Sequence, residues 1–485
     1  MEALVFISIL ICAIFPCASL SWMNTTITVT DQVQADIKYR LKISHPGIVV
    51  LYTNVQSQSM LMNYTLLCEE LRTITLKALA NDKTMVDVSL KEEIIQCGNK
   101  SSEIKTRNNS VSDEFSYYHY GSITLRMSGK RLGRTYITFN LYNSSSTDKI
   151  LVGKQKFPLI VLRKEEPASE IFKYMMYIVM VIVNFGFGCK TDLQVVKETY
   201  RKPVAPAIGI GCQLLLMPMI GYGIAKLVTP GDPYIALGIF IVSCCPGGGQ
   251  SNIFSYLLGG DISLSVSLTA VSMMLSFGMY ILCFFFISGT MPLWLFTLGQ
   301  EISTSAETEM PYLEVVTTLL ILLIPLLIGV FIQYKLTRIH KFMLKILLPI
   351  TIVAVILLLV TGLYSNWYIF EMFNAKIFLP ASILPLSGNI IAGLISLVAR
   401  MPWTRVKTIS IETGLQNTGI AILVIMFAFP QPEGLIAVVV PIATSIMTQL
   451  PLISVTIPYL IYTRCYRKRD KPASAKEEVV KNNSK

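Results

Sequence analysis

Two polar clusters interrupt stretches of the chain that are otherwise apolar enough to cross a membrane. One places Ser251 and Asn252 in the middle of residues 233–258, and the other places Glu412 and Gln416 in a later apolar stretch. Hydroxyl, amide and carboxylate oxygens are the ligands that hard cations prefer. The two clusters therefore predict a site for a small hard cation such as sodium.

The backbone must break at both clusters. Residues 244–252 read Cys-Cys-Pro-Gly-Gly-Gly-Gln-Ser-Asn, a run that a continuous transmembrane helix should not contain. Hydrocarbon offers no water to freed backbone groups, so broken backbone at that depth lines a cavity or is buried in protein. Residues 412–417 read Glu-Thr-Gly-Leu-Gln-Asn and lie five predicted spans later, so the two broken spans cross in opposite directions. Inverted repeats of this kind, with dipole ends and unwound carbonyls meeting at mid-membrane, are typical of ion-coupled transporters.

The carboxylate of Glu412 admits more than one interpretation. A carboxylate inside a span is costly and faces the bundle interior or a wet cavity. Glu412 is also compatible with a structural carboxylate whose hydrogen bonds are all made within the protein. A position near the inner surface is a further alternative, since Lys407 is five positions away. The amides of Gln416 and Asn417, one turn further on, favour the functional interpretation.

Other polar residues lie on neighbouring spans, where packing is the commoner role. Ser265 and Thr269 are four positions apart and therefore share one helix face. Each residue alone, like Gln213 in the second predicted span, more often makes a hydrogen bond between helices than binds a cation. Asn184 and Asn389 are given that packing interpretation.

Composition places the chain among integral membrane proteins. Its 485 residues are 53% hydrophobic and 15% charged, whereas soluble domains are about 25% charged. Much of the net charge of +11 lies in short loops and in the C-terminal tail, so it sets orientation and does not indicate nucleic-acid binding. The three histidines are scattered, and the sequence has no metal motif or phosphate loop. We therefore expect neither an enzyme nor a cofactor.

From residue 171 the chain is a string of apolar segments, most of which approach the ~20 residues that cross a bilayer. The nine predicted spans are 171–189, 203–228, 233–258, 262–289, 315–334, 346–364, 377–399, 408–430 and 436–462. With the N-terminus outside, three inner loops and the tail are rich in Lys and Arg, whereas outer residues 290–312 have none. The positive-inside rule therefore predicts an extracellular N-terminus and a cytoplasmic tail at 464–485.

An exported domain is expected before the spans. Residues 1–21 resemble a cleaved signal peptide, with a short uncleaved anchor as the alternative because the segment lacks Lys and Arg. Residues 22–167 are polar and rich in short Val, Ile, Thr and Tyr segments, which predict an antiparallel β-sandwich of which the immunoglobulin type is one form. The predicted strands are 26–30, 39–43, 48–53, 84–90, 122–127, 135–141 and 157–162.

The same segment carries the marks of an oxidising, glycosylating compartment. Its five Asn-X-Ser/Thr sequons are Asn24, Asn63, Asn99, Asn108 and Asn143. Cys68 and Cys97 are its only cysteines, and we favour a disulfide between them over two buried free thiols.

The two polar clusters resemble the signatures of the sodium/bile acid cotransporter family, solute carrier family 10. One signature is Pro-Gly-Gly followed shortly by Ser-Asn, here residues 246–252, and the other is Glu-Thr-Gly-x-Gln-Asn, here residues 412–417. The resemblance covers residues 171–463, the whole predicted membrane part. The signal-led N-terminal domain is similar to the divergent, ectodomain-bearing branch of the family that includes members three and five.

The resemblance implies a polytopic α-helical fold for residues 168–463, with a small panel domain and a core domain in which the broken helices cross. It also implies two sodium sites. The first would use Ser251, Asn252, Ser265, Thr269 and Glu412, and the second would use Gln213, Glu412, Gln416 and nearby carbonyls. The substrate-facing crossover would comprise Pro246, Gly247, Gly248, Gly249 and Asn417.

Two departures from the family pattern bear on the substrate. Gly249 stands where the family usually has Asn, and the bile acid carriers lack the N-terminal domain. We therefore expect a sodium-coupled symporter for an organic anion, bile acid or steroid-conjugate-like, in the plasma membrane. The alternative is a receptor, adhesion or scaffold protein on a transporter-like core. The N-terminal domain favours this alternative, whereas the intact cation ligands oppose it. The expected partners are sodium, the anion and the lipid bilayer, and the sequence does not indicate an oligomeric state.

The predicted topology has a direct biochemical test. Enzymatic removal of N-linked glycans should lower the apparent mass by several glycans, because the sequons precede the first span on the outer side. An epitope placed after residue 464 should be inaccessible to antibody on intact cells and accessible after permeabilisation. An unchanged mass, or a tail epitope that is detected on intact cells, would contradict the topology.

Overall fold

The computed structural model describes residues 39–44, 49–53, 58–68, 73–81, 83, 86–89, 93–96, 117–130, 132–143, 150–163, 167–229, 232–277, 289–305 and 311–482. The chain divides into two compact units, residues 1–164 and 165–485. The predicted signal peptide lies outside the described residues, as do Asn24, Asn99, Asn108 and Cys97, and with Cys97 the predicted disulfide.

Strands make up the described part of the first unit. They are β1 Tyr39–Ser44, β2 Val49–Thr53, β3 Gln58–Cys68, β4 Thr73–Ala80, β5 Val86–Ser89, β6 Glu93–Gln96, β7 Tyr117–Gly129, β8 Gly133–Asn143 and β9 Ile150–Arg163. They pair in the order β1-β3-β7-β2-β9-β8-β4-β6, and β5 also pairs with β7. Alternate residues such as Leu125 and Met127, or Ile137 and Phe139, are buried because successive side chains of a strand point to opposite faces.

The predicted antiparallel arrangement is wrong for β2. This strand pairs in parallel with β9, Val49 opposite Leu159, and in parallel with β7 at Thr53. Three observed strands, β3, β4 and β6, were not predicted, and the longest of them, β3, is rich in Leu and Met rather than β-branched residues. Parallel pairing joins segments that are distant in the chain, so no local pattern reports it.

The second unit is helical. Its elements are α1 Pro167–Lys190, α2 Leu193–Tyr200, α3 Val204–Gly211, a π turn at Cys212–Leu216, α4 Met217–Leu227, α5 Pro233–Ser243, α6 Gln250–Leu257, α7 Ile262–Phe277, α8 Thr290–Phe296, α9 Leu298–Ser305, α10 Tyr312–Lys335, α11 Thr337–Ser365, α12 Tyr368–Met372, α13 Ala375–Val398, α14 Trp403–Gly414, α15 Thr418–Ala428, α16 Glu433–Ala437 and α17 Val439–Asn482. The predicted tail therefore begins inside a helix, α17.

Six helical segments among the described residues are long and apolar enough to cross a membrane. They are Ser169–Lys190, Val204–Leu227, Tyr312–Lys335, Arg338–Ser365, Ala375–Val398 and Glu433–Thr463. The predicted spans 233–258, 262–289 and 408–430 correspond to shorter apolar helices, because the first and third are broken and the described part of the second ends at Phe277. A count of nine crossings therefore stays a prediction.

The core of the helical unit surrounds two of the broken segments, α5 and α15. Every residue of α5 from Ile235 to Ser243 is buried. A helix that is apolar on all sides belongs in the interior of a bundle. Leu423 and Val424 of α15 and Leu322 of α10 join the same apolar cluster. Packing in this core therefore fixes one half-helix beside each break, α5 before the first and α15 after the second.

Two glycines let α1 and α10 cross at close range. A Cβ built at Gly329 would lie 2.7 Å from the backbone nitrogen of Cys189, and one built at Gly188 would lie 2.9 Å from the Gly329 Cα. Neither distance leaves room for a methyl group. Small residues at such crossings let two membrane helices approach closely.

Substituting Gly329 by Ala should therefore destabilise the helical unit by about 1–3 kcal/mol through overpacking. Gly223→Ala on α4 is the matched control, since no heavy atom of the described residues lies within 4 Å of a Cβ at that position. The measurement is the melting temperature of the detergent-solubilised full chain. A Gly329→Ala protein that melts with the control would contradict the close crossing.

Candidate functional site

The two predicted breaks are both present, and they pair with each other. The first separates α5 from α6, and the second separates α14 from α15. Gly247 and Gln416 form an antiparallel bridge. The amide of Gly248 donates to the Leu415 carbonyl at 2.8 Å, and the amide of Asn417 donates to the Pro246 carbonyl at 2.8 Å. Backbone groups freed by one break are thus satisfied by the other, as a low-dielectric interior requires.

The carboxylate of Glu412 lies beside this crossover on α14, and the residue is 2% exposed. Ser265 Oγ donates to Glu412 Oε2 at 3.0 Å, and Thr269 Oγ1 donates to Glu412 Oε1 at 2.5 Å. Both donors stand on the α7 face that their four-residue spacing predicts. Ser251 Oγ lies 3.5 Å from Thr269 Oγ1 and donates to the Gly248 carbonyl at 2.7 Å.

Ser272 joins this cluster and was missed by the sequence analysis. Its Oγ accepts a hydrogen bond from the Gly247 amide at 3.3 Å and donates to the Thr269 carbonyl at 3.0 Å. Ser265, Thr269 and Ser272 are spaced i, i+4 and i+7, so they line one helix face. That spacing is visible in the sequence and was the signal available for finding Ser272.

A second polar group forms around two glutamines. Gln213 Nε2 donates to Gln416 Oε1 at 2.7 Å and to the Cys245 carbonyl at 3.3 Å. Gln416 Nε2 in turn donates to the Thr413 carbonyl at 3.1 Å. Gln213 lies within the π turn between α3 and α4. The structure therefore brings six of the predicted cation ligands together in two groups, Ser251, Ser265 and Thr269 around Glu412, and Gln213 with Gln416. The side-chain oxygen of Asn252 has no hydrogen-bond partner among the described residues and is not tied to either group.

Three buried oxygen atoms near the crossover are without partners. Within the described part of the chain, Gln213 Oε1, Asn252 Oδ1 and Thr413 Oγ1 accept or donate no hydrogen bond. An unpaired buried polar atom costs about 1–3 kcal/mol, so such atoms are uncommon unless a ligand or water satisfies them. Gln213 and Asn252 are both among the predicted cation ligands. Asn417, predicted as part of the crossover, instead caps α15, its Oδ1 accepting from the Ile420 amide.

The prediction that Asn184 on α1 makes a hydrogen bond to another helix is wrong for the part of the chain that the structure describes. Asn184 is fully buried, and neither atom of its amide has a hydrogen-bond partner there. Asn389 is similar in one respect, because its Oδ1 is also buried without a partner, although its backbone carbonyl accepts from Ser410 Oγ at 2.7 Å. The described residues therefore supply no side-chain hydrogen bond to Asn184 and none to the side-chain oxygen of Asn389.

Gly249 has a steric explanation that the sequence could not supply. The ring of Phe187 on α1 packs where a Cβ at Gly249 would lie. A side chain at this position of the crossover is thereby excluded unless Phe187 moves. The departure from the family pattern at Gly249 thus accompanies an aromatic residue that fills the same space from the facing helix.

The helix ends arrange fixed partial charges at the crossover. The carboxyl ends of α5 and α14 and the amino ends of α6 and α15 meet there. Carbonyl oxygens at the former favour cations, whereas free amides at the latter favour anions. The arrangement is therefore suited to binding a cation and an anion close together. Among the described residues no group of three or more His, Cys, Asp and Glu could hold a metal ion.

Comparison with known proteins agrees with this geometry. The model of the Sodium Bile acid symporter family matches residues 177–373. The chain is 31% identical to the ileal sodium/bile acid cotransporter of Oryctolagus cuniculus over 307 residues, which is 62% of this chain and 83% of the relative. It is 30% identical to the human sodium-dependent organic anion transporter over 61% of this chain and 74% of the relative. It is 27% identical to the human P3 protein over 60% of this chain and 59% of the relative.

The fold and the paired broken helices are those of a polytopic helical membrane protein of the transporter class. The chain belongs to the sodium/bile acid symporter family. That membership places it among symporters rather than enzymes.

The crossover should not tolerate a methyl group at Gly247. A Cβ there would lie 2.6 Å from Glu412 Oε1, so Gly247→Ala should displace the carboxylate or break the backbone pairing, at a cost of about 1–3 kcal/mol. Gly211→Ala is the control, because no heavy atom of the described chain lies within 4 Å of a Cβ at Gly211. Melting temperatures of the two purified variants check this, and equal values would contradict the close contact.

Proposed function

We propose that the protein is a sodium-coupled symporter of an organic anion. The observation that carries this proposal is the buried Glu412 carboxylate, whose hydrogen-bond donors among the described residues include the neutral hydroxyls of Ser265 and Thr269 on α7. Neutral donors satisfy its hydrogen bonds but leave its charge uncompensated, and burying an uncompensated charge is costly. A sodium ion bound among Glu412, Ser251, Asn252, Ser265 and Thr269 would compensate it.

A second sodium is proposed at the glutamine pair. Gln213 Oε1 is a buried acceptor without a hydrogen-bond partner in the described residues, and Nε2 of the same side chain donates to the Cys245 carbonyl. Amide and carbonyl oxygens are suitable ligands for a hard cation. Gln416, the hydrogen-bond partner of Gln213, would adjust with it, so the two sites would communicate across the crossover.

The proposed substrate is an organic anion. The amino ends of α6 and α15 meet at the crossover, and such ends stabilise negative charge. The names of two relatives, a bile acid cotransporter and an organic anion transporter, agree with that class. Phe187 against Gly249 gives the crossover an apolar wall, which would suit a steroid-like or other bulky apolar body. Two sodium ions entering with one monovalent anion would carry one net charge, which is worth about 2.3 kcal/mol per 100 mV.

The proposed topology follows the same reasoning. Nine crossings, an extracellular domain at 22–167 after a signal peptide at 1–21, a cytoplasmic tail at 464–485 and a plasma-membrane location are supported by the charge pattern of the loops and by the sequons. The membrane part, 168–463, contains every proposed sodium ligand, so the N-terminal domain is proposed as an accessory.

The charge on Glu412 is the decisive test. Glu412→Gln keeps the shape and removes the charge, so sodium-dependent stabilisation should disappear while the protein still folds. For the natural protein, sodium at ten times its Kd should raise the unfolding free energy by about 1.4 kcal/mol. Glu314→Gln, at an exposed position on α10, is the matched control and should keep the full sodium response.

Sodium is compared with an equal concentration of choline in thermal melts of the full chain. A sodium response that persists in Glu412→Gln would remove Glu412 from the site. A natural protein that lacks any sodium response would favour the alternative, a receptor or scaffold built on a transporter-like core.

A further inference from the structure

A proline removes the usual partner of one carbonyl in the π turn. In an α-helix the carbonyl of residue 214 accepts from the amide of residue 218. Residue 218 is proline, which has no N–H. The neighbouring amide of Met217 bonds instead to the Cys212 carbonyl, five positions earlier. Leu214 is buried, so water has little access to its carbonyl.

A side chain from another element supplies the missing donor. Trp294 on α8 donates its indole Nε1–H to the Leu214 carbonyl at 2.8 Å. The Trp294 ring is half-buried and packs against the main apolar cluster. Since buried carbonyls are rarely left unpaired, this bond compensates for the hydrogen bond that Pro218 cannot make.

Residues 289–305, which include Trp294, also contact α4 at a second position. Glu301 on α9 accepts hydrogen bonds from Lys226, at 2.8 Å, and from Tyr222. Lys226 and Glu301 are 38% and 57% exposed, so solvent screens this ion pair. The indole bond, by contrast, joins residues 289–305 to the carbonyl of a buried residue of the helix.

Leu214 directly follows Gln213, whose amide contacts Gln416 and the Cys245 carbonyl. A π turn places one extra residue in the helical turn, so its position decides which way the side chains within it point. We propose that Trp294 is a positioning residue for cation binding: by bonding the Leu214 carbonyl, to which Pro218 cannot donate, it holds the π turn that aims Gln213 at the crossover. This rests on the proposed sodium function.

The first test removes only the indole N–H. Trp294→Phe keeps an aromatic ring in the same place, so the full chain should still fold. The sodium concentration that gives half of the maximal thermal stabilisation should rise about threefold to tenfold, the range expected for one buried hydrogen bond. Trp367→Phe is the matched control, because Trp367 is 63% exposed and contacts Phe370 through ring packing. It should leave that concentration unchanged.

A second variant separates positioning from simple stabilisation. Pro218→Ala restores an amide that can bond the Leu214 carbonyl within the helix. In the Trp294→Phe/Pro218→Ala double variant, the melting temperature in choline should therefore return toward that of the natural protein. The sodium response should stay weakened, because a regular α-helical turn points Gln213 elsewhere. A merely structural role for Trp294 predicts that both quantities recover together.

Three outcomes would overturn the inference. One is a half-maximal sodium concentration in Trp294→Phe within twofold of the natural protein. Another is joint recovery of stability and sodium response in the double variant. The third is a double variant that melts no higher than Trp294→Phe, since the Leu214 carbonyl would then not be the group that needs a donor. A natural protein without any sodium response would instead refute the proposed function, and the choline melts would still decide whether Trp294 satisfies that carbonyl.

Discussion

Backbone at the centre of the helical unit pairs across two broken helices, residues 246–248 against residues 415–417. In hydrocarbon each unpaired amide or carbonyl costs several kcal/mol, so neither break would persist without the other. This pairing fixes the positions of the backbone segments that carry the side chains of the candidate site. Glu412 and Gln416 flank one break, and Ser251 follows the other by a few residues. Packing around α5 and α15 then holds the pair in register.

The pairing also explains why small residues stand at the crossover. Gly247 leaves room for the Glu412 carboxylate, and Gly249 leaves room for the Phe187 ring. Those two contacts come from different helices, one from α14, which carries the charge, and one from α1. The crossover therefore has a polar neighbour on one helix and an aromatic neighbour on another, the mixed lining that is typical of small-molecule sites.

The two polar groups differ in which of their hydrogen-bonding atoms have partners. Around Glu412 the hydroxyls donate one hydrogen bond to each carboxylate oxygen, and these neutral donors leave the negative charge uncompensated. Around Gln213 the amide N–H groups are used and Oε1 is buried without a partner in the described residues. Both deficits are of the kind that a cation relieves, and the crossover links them.

The sequence by itself determined the features that depend on local pattern. Apolar length predicted a membrane domain, and Pro-Gly-Gly-Gly and Glu-Thr-Gly inside apolar stretches predicted the two breaks, because broken backbone has few tolerable places in a membrane. Four-residue spacing placed Ser265 and Thr269 on one face, and the same periodicity extended to Ser272 would have found it. These inferences succeed because helical periodicity and backbone chemistry act over a few residues.

Only the tertiary structure decided which distant groups meet. The bond between Gln213 and Gln416 spans 203 positions, and that between Trp294 and Leu214 spans 80. The contact of Phe187 with Gly249 and the parallel pairing of β2 with β9 are equally non-local. Asn184 illustrates the same limit. Its residue type suggested a hydrogen bond between packed helices, and the described residues supply none. Register and rotation between packed elements arise from the fit of whole surfaces, and no short stretch of sequence carries that information.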